Sequence, residues 1–147
     1  MKVKRTAYTD LLAQVELFRG CTKKELAAIA STTVAVDQPA GAVLCRQGSI
    51  GTQAFVVVDG KAVVSIDGID VADVGPGSFF GEMALLDGGP RVATVTAATP
   101  MQLLVLSRPE FNRLILDVPK VARRMLEAVG TRLRQVEQSP NSAPIGA

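Results

Sequence analysis

The sequence contains no histidine and no tryptophan, and its only cysteines are Cys21 and Cys45. These two residues form neither a C-x-x-C pair nor a disulfide framework, and without histidine they cannot complete a usual zinc-binding set. Clustered carboxylates and a G-x-S-x-G segment are missing as well, so the groupings of catalytic residues that most hydrolases use are absent. We therefore expect no enzyme activity, no metal and no cofactor, and we interpret both cysteines as reduced residues of the core or its boundary.

A strong excess of charge and long apolar runs are also absent. The 16 basic and 14 acidic side chains leave a net charge of +2, which does not indicate direct binding of nucleic acid. The longest apolar runs, such as residues 55–58, are far too short for a membrane segment, and the basic start of the sequence does not lead into an apolar signal stretch. A single domain in the cytoplasm is the expectation for 147 residues of which 48% are hydrophobic.

The chain divides into three parts by pattern. Apolar residues at helical spacing predict two short amphipathic helices over residues 9–31, and Thr22 with Glu25 matches a capping box for the second. From residue 32 to residue 107, valine and threonine dominate and turn signals come at short intervals, which predicts about seven or eight strands of a sandwich or barrel. Among these turns, Asp59-Gly60 is the best signal for a two-residue hairpin.

Helices return over residues 108–137. The segment S-R-P-E at residues 107–110 is typical of a capped helix start with an early proline, and a second helix start follows at residues 117–119. An apolar stripe at three- and four-residue spacing then predicts a long amphipathic helix, with Val118, Val121, Ala122, Met125, Val129, Leu133 and Val136 on the stripe. We predict an α+β fold, an antiparallel β-roll or jelly-roll barrel flanked by N-terminal and C-terminal α-helices, forming one domain over residues 1–137 with a flexible tail at 138–147.

The stretch FGEMALLDGGPRVATV, residues 80–95, sets Glu82 and Arg91 among apolar and turn-forming residues. Glycine lets the backbone approach a ligand closely, and the helix formers after Gly81 can begin a short helix whose free N–H groups bind an anion. Arginine offers a planar fork of donors to a phosphate, and a carboxylate accepts hydrogen bonds from a sugar hydroxyl. The pattern is typical of a site for ribose and phosphate, although a solvated Glu82–Arg91 surface pair of little energetic value fits the spacing equally well.

This stretch resembles the phosphate-binding cassette of the cyclic nucleotide-binding domain family, whose form is F-G-E-x-A-L followed by P-R-x-A-T-V. The family module occurs in catabolite activator-type regulators, protein kinase A regulatory subunits and nucleotide-gated channels. The segments VELFRGCTKKEL, PAGAVLCRQGSIG and VVVDGKAVVSI extend the resemblance over residues 11–136. The expected fold of a family member is the β-roll with flanking helices.

The resemblance implies a role for each matching position of the cassette at residues 79–95. Glu82 would bind the ribose 2'-hydroxyl and Arg91 the cyclic phosphate. Binding would be completed by the rest of the cassette, namely the N–H groups of Gly81, Ala84 and Val92, with Met83 in the same turn. Guanine-selective members often carry Thr or Ser after the arginine, whereas this sequence has valine there, so the resemblance favours cAMP over cGMP as the ligand.

In the family the last helix closes over the base and transmits the signal. Here the resemblance points to Val129 and Leu133, with Arg132 or Arg134 as polar contacts to the base. The apolar stripe could instead pack on the barrel, or form an interface with a second copy or an effector domain. The sequence thus predicts a cyclic nucleotide-binding regulatory module that moves its C-terminal helices. The alternative is an orphan scaffold of the same fold that dimerises or docks a partner without nucleotide.

Overall fold

The computed structural model describes the backbone of residues 5–138 and the side chains of residues 8–128 and 130. Its α-helices are α1 (Arg5–Ala13), α2 (Lys23–Ser31), α3 (Glu82–Asp87), α4 (Arg108–Asp117) and α5 (Pro119–Gln138), with a 3-10 turn at Glu16–Phe18. The strands are β1 (Val34–Gln38), β2 (Val43–Cys45), β3 (Gln53–Asp59), β4 (Ala62–Ile66), β5 (Ile69–Val74), β6 (Phe79–Phe80), β7 (Thr94–Ala97) and β8 (Met101–Ser107). The first helix therefore begins earlier than the predicted residue 9.

The strands form two antiparallel sheets, in the orders β1-β8-β3-β6 and β2-β7-β4-β5. Successive side chains of a strand point to opposite faces of its sheet. On β3, Phe55 and Val57 belong to the core between the sheets. The alternate residues Ala54 and Val56 pack in the core shared with the helices. This arrangement confirms the predicted α+β fold, a β-roll flanked by helices.

The N-terminal and C-terminal helices pack together in that second core. Phe18 and Phe111 are both almost fully buried in it. The predicted capping box is confirmed: the Thr22 N–H donates to Glu25 Oε1 at 2.8 Å, and the Glu25 N–H donates to Thr22 Oγ1 at 3.1 Å. Lys120 Nζ lies 3.1 Å from Glu25 Oε1, which ties the start of α5 to α2. The Thr22 N–H, together with Lys120, lowers the pKa of Glu25 below its ordinary value of 4.5.

The predicted hairpin at Asp59-Gly60 differs from the structure. Asp59-Gly60 is not a hairpin, because β3 pairs with β6 and β8 while β4 pairs with β5 and β7. Gly60, at φ 91°, lies against the Pro100 carbonyl and instead carries the chain from one sheet to the other. The true hairpin turn is Asp67-Gly68, with φ of 52° and 80°, as a two-residue turn of the primed type requires.

The start of α4 lies where the sequence predicts it, but Ser107 at its N-cap makes no side-chain capping hydrogen bond. Proline in the first turn of α4 suits a helix start without such a bond, since its missing N–H needs no partner there. Within residues 5–138, no helix is long and apolar enough to cross a membrane.

Candidate functional site

The predicted cassette forms a strand, a sharp turn and a short helix. Gly81 follows β6 with φ 88° and ψ −2°, a left-handed conformation in which a β-carbon is strained. The chain turns there directly into α3. The residue after this helix, its C-cap Gly88, is again left-handed with φ 69°. The loop after α3 then brings Arg91 back toward Gly81 before β7 begins. The two glycines therefore determine how the acid and the arginine of the cassette are brought together.

Arg91 is a buried residue, only 8% exposed. Its Nη1 donates to the Gly81 carbonyl at 2.9 Å and its Nη2 to the Gln53 carbonyl at 2.6 Å. Its Cζ lies 6.0 Å from the ring centroid of Phe55, a distance at which a cation is attracted to a ring face. A guanidinium has five N–H donors, so donors remain for a ligand after these two bonds. The reading of Arg91 as a solvated surface residue is wrong.

Two glycines enclose the Arg91 guanidinium. A β-carbon placed on Gly51 would lie 2.7 Å from Arg91 Cζ and 2.6 Å from the β-carbon of Ala84, and one on Gly81 would lie 2.7 Å from Arg91 Nη1. The backbone N–H of Arg91 also donates to the Ser49 carbonyl at 2.8 Å, which holds it against the loop between β2 and β3. The arginine thus lies in a slot between the cassette and this loop.

A cavity of about 250 Å³ opens over this slot. The structure brings all six predicted site residues to its wall: Gly81, Glu82, Met83, Ala84, Arg91 and Val92. They differ in exposure, since Ala84 is buried at 3% whereas Val92 is 64% exposed. Two larger cavities, of about 690 and 590 Å³, are found among the described residues, and neither is lined by Arg91, although the second adjoins the small cavity and shares Val74, Phe79 and Glu82 with it. The small cavity is the one that joins the predicted residues.

Several neighbours of the site were not predicted from the sequence. Gln53 contributes its backbone carbonyl, which every residue type possesses, so no sequence signal could reveal it. No sequence signal indicated that Gly51 packs against an arginine. Cys45, expected only as core or boundary, also lines the cavity. Within the described residues there is no group of three or more His, Cys, Asp or Glu that could hold a metal ion.

The side chains that the resemblance assigns to the base lie outside the described residues. Val129, Arg132, Leu133 and Arg134 belong to the backbone of α5, but their side chains are outside the described residues. The earlier part of the stripe is described: Val121 and Met125 are buried against the rest of the helical core. That part of the helix therefore packs on the domain.

Burial sets the chemistry of Cys45, which is 5% exposed. Loss of hydration raises the pKa of its thiol, Arg91 lowers it in part, and Glu82 raises it further. The thiol is therefore protonated at neutral pH while lying near both charged residues of the cassette. Cys21 is more accessible, and burial raises the pKa of its thiol as well.

We expect the labelling of Cys45 to report on occupancy of the cavity. A reagent must reach the sulfur atom to modify it, so maleimide should modify the half-buried Cys21 before the buried Cys45. In a Cys21→Ser variant, saturating cAMP should slow the labelling of Cys45 further, as followed by mass spectrometry. The urea-unfolded variant, with and without cAMP, is the control for a direct effect on the reagent. An unchanged rate in a protein shown to bind cAMP would mean that the nucleotide lies elsewhere.

Comparison with known proteins decides the family. A model described as the cyclic nucleotide-binding domain matches residues 35–117, more than half of the sequence. The chain belongs to the cyclic nucleotide-binding domain family. It is 44% identical, over 77% of its length, to a cyclic nucleotide-gated potassium channel of Mesorhizobium japonicum, of which it covers 31%. It is 33% identical, over 94% of its length, to the cAMP-dependent protein kinase regulatory subunit of Dictyostelium discoideum, of which it covers 45%.

Solved structures give the same assignment. The regulatory domain of Toxoplasma gondii PKA, crystallised with cAMP, superposes with a TM-score of 0.76 at 27% identity, covering 86% of this chain and 50% of that one. The chain spans less than half the length of the two curated relatives. The likeness therefore concerns one module of larger proteins.

Proposed function

We propose that this chain is a sensor domain that binds cAMP in the cavity over Arg91 and passes its occupancy to the C-terminal helices. The observation that carries the proposal is the buried guanidinium of Arg91, oriented by two uncharged carbonyl groups. Neutral acceptors direct the fork without bringing a negative charge of their own, and a fork directed in this way suits an anion that can accept two parallel hydrogen bonds. A cyclic phosphate is an anion of this kind.

Glu82 and the backbone of the cassette would hold the remainder of the sugar phosphate. Glu82 is the first residue of α3 and lines the same cavity as Arg91. A carboxylate only accepts hydrogen bonds, so a ribose hydroxyl suits it and a phosphate does not. The N–H groups of Gly81, Ala84 and Val92 remain the proposed partners of the phosphate oxygens.

Val92 is the proposed determinant of base preference. Its side chain lies at the cavity wall and is 64% exposed, with no hydroxyl to offer. A guanine amino group would find no hydrogen-bond acceptor there, whereas the binding of adenine would not depend on such an acceptor. The names of the relatives support a cyclic nucleotide as ligand, and the kinase regulatory subunit and the Toxoplasma structure support cAMP.

The coupling to the C-terminal helices would run through α3. Leu85, 5% exposed, belongs to the same core cluster as Phe111 of α4 and Val121 of α5. A ligand that shifts α3 therefore changes the packing of both helices. Since a ligand shifts an equilibrium only by its differential affinity for the two states, the proposal requires cAMP to bind one arrangement of α3 more tightly.

Titration calorimetry tests the proposal, with protein stripped of carried-over nucleotide by unfolding and refolding. We expect saturable binding of cAMP and weaker binding of cGMP, because Val92 cannot pair with the guanine amino group. A Val92→Thr variant, which adds a hydroxyl at nearly constant volume, should narrow the difference between the two nucleotides. Product analysis after incubation with cAMP should recover the nucleotide intact, as for a binding module.

No binding heat with either nucleotide, together with an unchanged melting temperature, would contradict the proposal. It would favour the orphan scaffold, and mass measurement would then test for a dimer. Equal affinities for cAMP and cGMP would leave the sensor proposal standing and overturn the role given to Val92.

A further inference from the structure

Arg108 connects the phosphate site to the C-terminal helices. It is the first residue of α4, and its backbone N–H donates to the Thr52 carbonyl at 3.1 Å. Its side chain reaches further into the site: Nη2 donates to the Gly51 carbonyl at 2.8 Å and to the Ala84 carbonyl at 3.4 Å. One residue of α4 therefore holds both the β2–β3 loop and α3.

The contact with Ala84 joins Arg108 to α3, of which Ala84 is the third of six residues. The Ala84 carbonyl also accepts the N–H of Gly88, the C-cap of that helix, at 3.0 Å. A cation near the last turn of a helix is favourable. The Arg108 guanidinium thus makes a second, longer contact to a carbonyl of the short helix that carries Glu82.

Gly51 lies between Arg108 and Arg91. The Gly51 α-carbon packs on the guanidinium of Arg91, and its carbonyl accepts from Arg108. If Arg91 shifts toward a phosphate, its guanidinium must therefore displace Gly51 or slide past it. A displacement of Gly51 in turn changes the hydrogen bond that its carbonyl accepts from Arg108. Closely packed groups transmit such displacements, because the interior leaves no free space to absorb them.

We propose that Arg108 is a positioning residue that couples anion binding at Arg91 to the position of α4. This inference rests on the proposed function and names the regulation of the same site. Arg108 does not touch the ligand; it acts through Gly51 and Ala84. Both bonds come from Nη2, and arginine suits this role because the N–H groups of that nitrogen are fixed in the guanidinium plane, whereas a lysine ammonium is a point charge on a flexible stem.

Hydrogen exchange without nucleotide tests the contact itself. In Arg108→Ala, we expect amides of α3 and of residues 49–52 to exchange about ten-fold faster, the usual scale of a coupling between sites. Arg113→Ala is the matched control, since Arg113 lies on the same helix with a side chain that is 68% exposed, and it should leave these amides unchanged. Arg108→Lys should fall between the parent and the alanine variant.

Hydrogen exchange at saturating cAMP tests the coupling. We expect the parent and Arg113→Ala to show a nucleotide-dependent change in α4 and α5, and Arg108→Ala to lose most of it while its cAMP affinity falls about ten-fold. A purely structural role would lower the melting temperature but leave the change in α4 intact, and that result would overturn the proposal.

Failure of the proposed function can be distinguished from failure of the inference about Arg108. Absence of cAMP binding to the parent would refute the proposed function, and with it the nucleotide coupling, while the exchange without nucleotide would still decide whether Arg108 holds α3 and the loop. Binding to the parent with an unaltered α4 response in Arg108→Ala would refute the inference about Arg108 alone.

Discussion

Replacing Arg91 by alanine should lower the affinity for cAMP by roughly thirty-fold or more. Removing one partner of a buried, hydrogen-bonded charge pair costs about 2 to 5 kcal/mol, because the other charge stays buried and unpaired. Arg91 meets the conditions for a cost of this size: it is 8% exposed and its fork is oriented by the carbonyls of Gly81 and Gln53. The variant also loses those two bonds, so its melting temperature must be measured beside its affinity.

Calorimetry with cAMP on the parent, Arg91→Ala and Arg91→Lys makes the comparison specific. Lysine keeps the charge but lacks the planar fork, so its affinity should lie between the other two. Arg113→Ala, which removes an exposed arginine, should bind like the parent. If Arg91→Ala bound cAMP as tightly as the parent while remaining folded, the phosphate would have to be bound elsewhere.

Replacing Gly51 by alanine should damage both the stability of the domain and its binding of cAMP. The added β-carbon would lie 2.6 Å from the β-carbon of Ala84 and 2.7 Å from Arg91 Cζ, far inside normal contact distance. Overpacking of this kind costs about 1 to 3 kcal/mol. The Arg91 guanidinium must move to relieve it, and each 1.4 kcal/mol lost from binding lowers the affinity about ten-fold.

Gly75→Ala is the matched control for this variant. A β-carbon on Gly75 meets nothing within 4 Å, and neither Gly75 nor Gly51 has a positive φ that alanine would strain. Urea unfolding should therefore show a loss of stability in Gly51→Ala and almost none in Gly75→Ala, and calorimetry should show the same order for affinity. Equal behaviour of the two variants would mean that Gly51 does not pack on the arginine in solution.

The fold was predictable from the sequence because local pattern and global architecture agree. The capping box of Thr22 and Glu25, the strand-rich middle and the α4 start after Ser107 each follow from residue types at short spacing. Strand pairing was not so simple. Asp59-Gly60 and Asp67-Gly68 are the same dipeptide, and only the second joins two paired strands. Whether such a turn makes a hairpin or a crossover depends on which strand, far away in sequence, pairs with each of its neighbours.

The residues of the candidate site were predictable where the chemistry of their side chains identifies them. Glu82 and Arg91 stand out as a carboxylate and a guanidinium in an apolar, glycine-rich stretch. Arg108 does not stand out, because its partners are the backbone carbonyls of Gly51 and Ala84, which belong to every residue type. Contacts of a side chain with distant backbone need three-dimensional coordinates.

Several predictions remain predictions. The binding roles of the cassette residues, the single domain over residues 1–137 and the cytoplasmic location are not tested by the fold. The same holds for the proposed contacts of the last helix with the base, since the side chains of Val129 and Leu133 are outside the described residues.

The exposure of Val92 has a consequence for how such a domain can evolve. Arg91 and its glycine neighbours are enclosed, so nearly every substitution there disturbs the packing of the domain as well as the proposed binding of the ligand. Val92 is 64% exposed, and exposed positions usually change at a cost within about 0.5 kcal/mol. A lineage could therefore exchange one purine for another by a single replacement, while the residues proposed to bind the sugar phosphate are inherited unaltered. Ligand preference and structural integrity would then be separate traits of one small pocket.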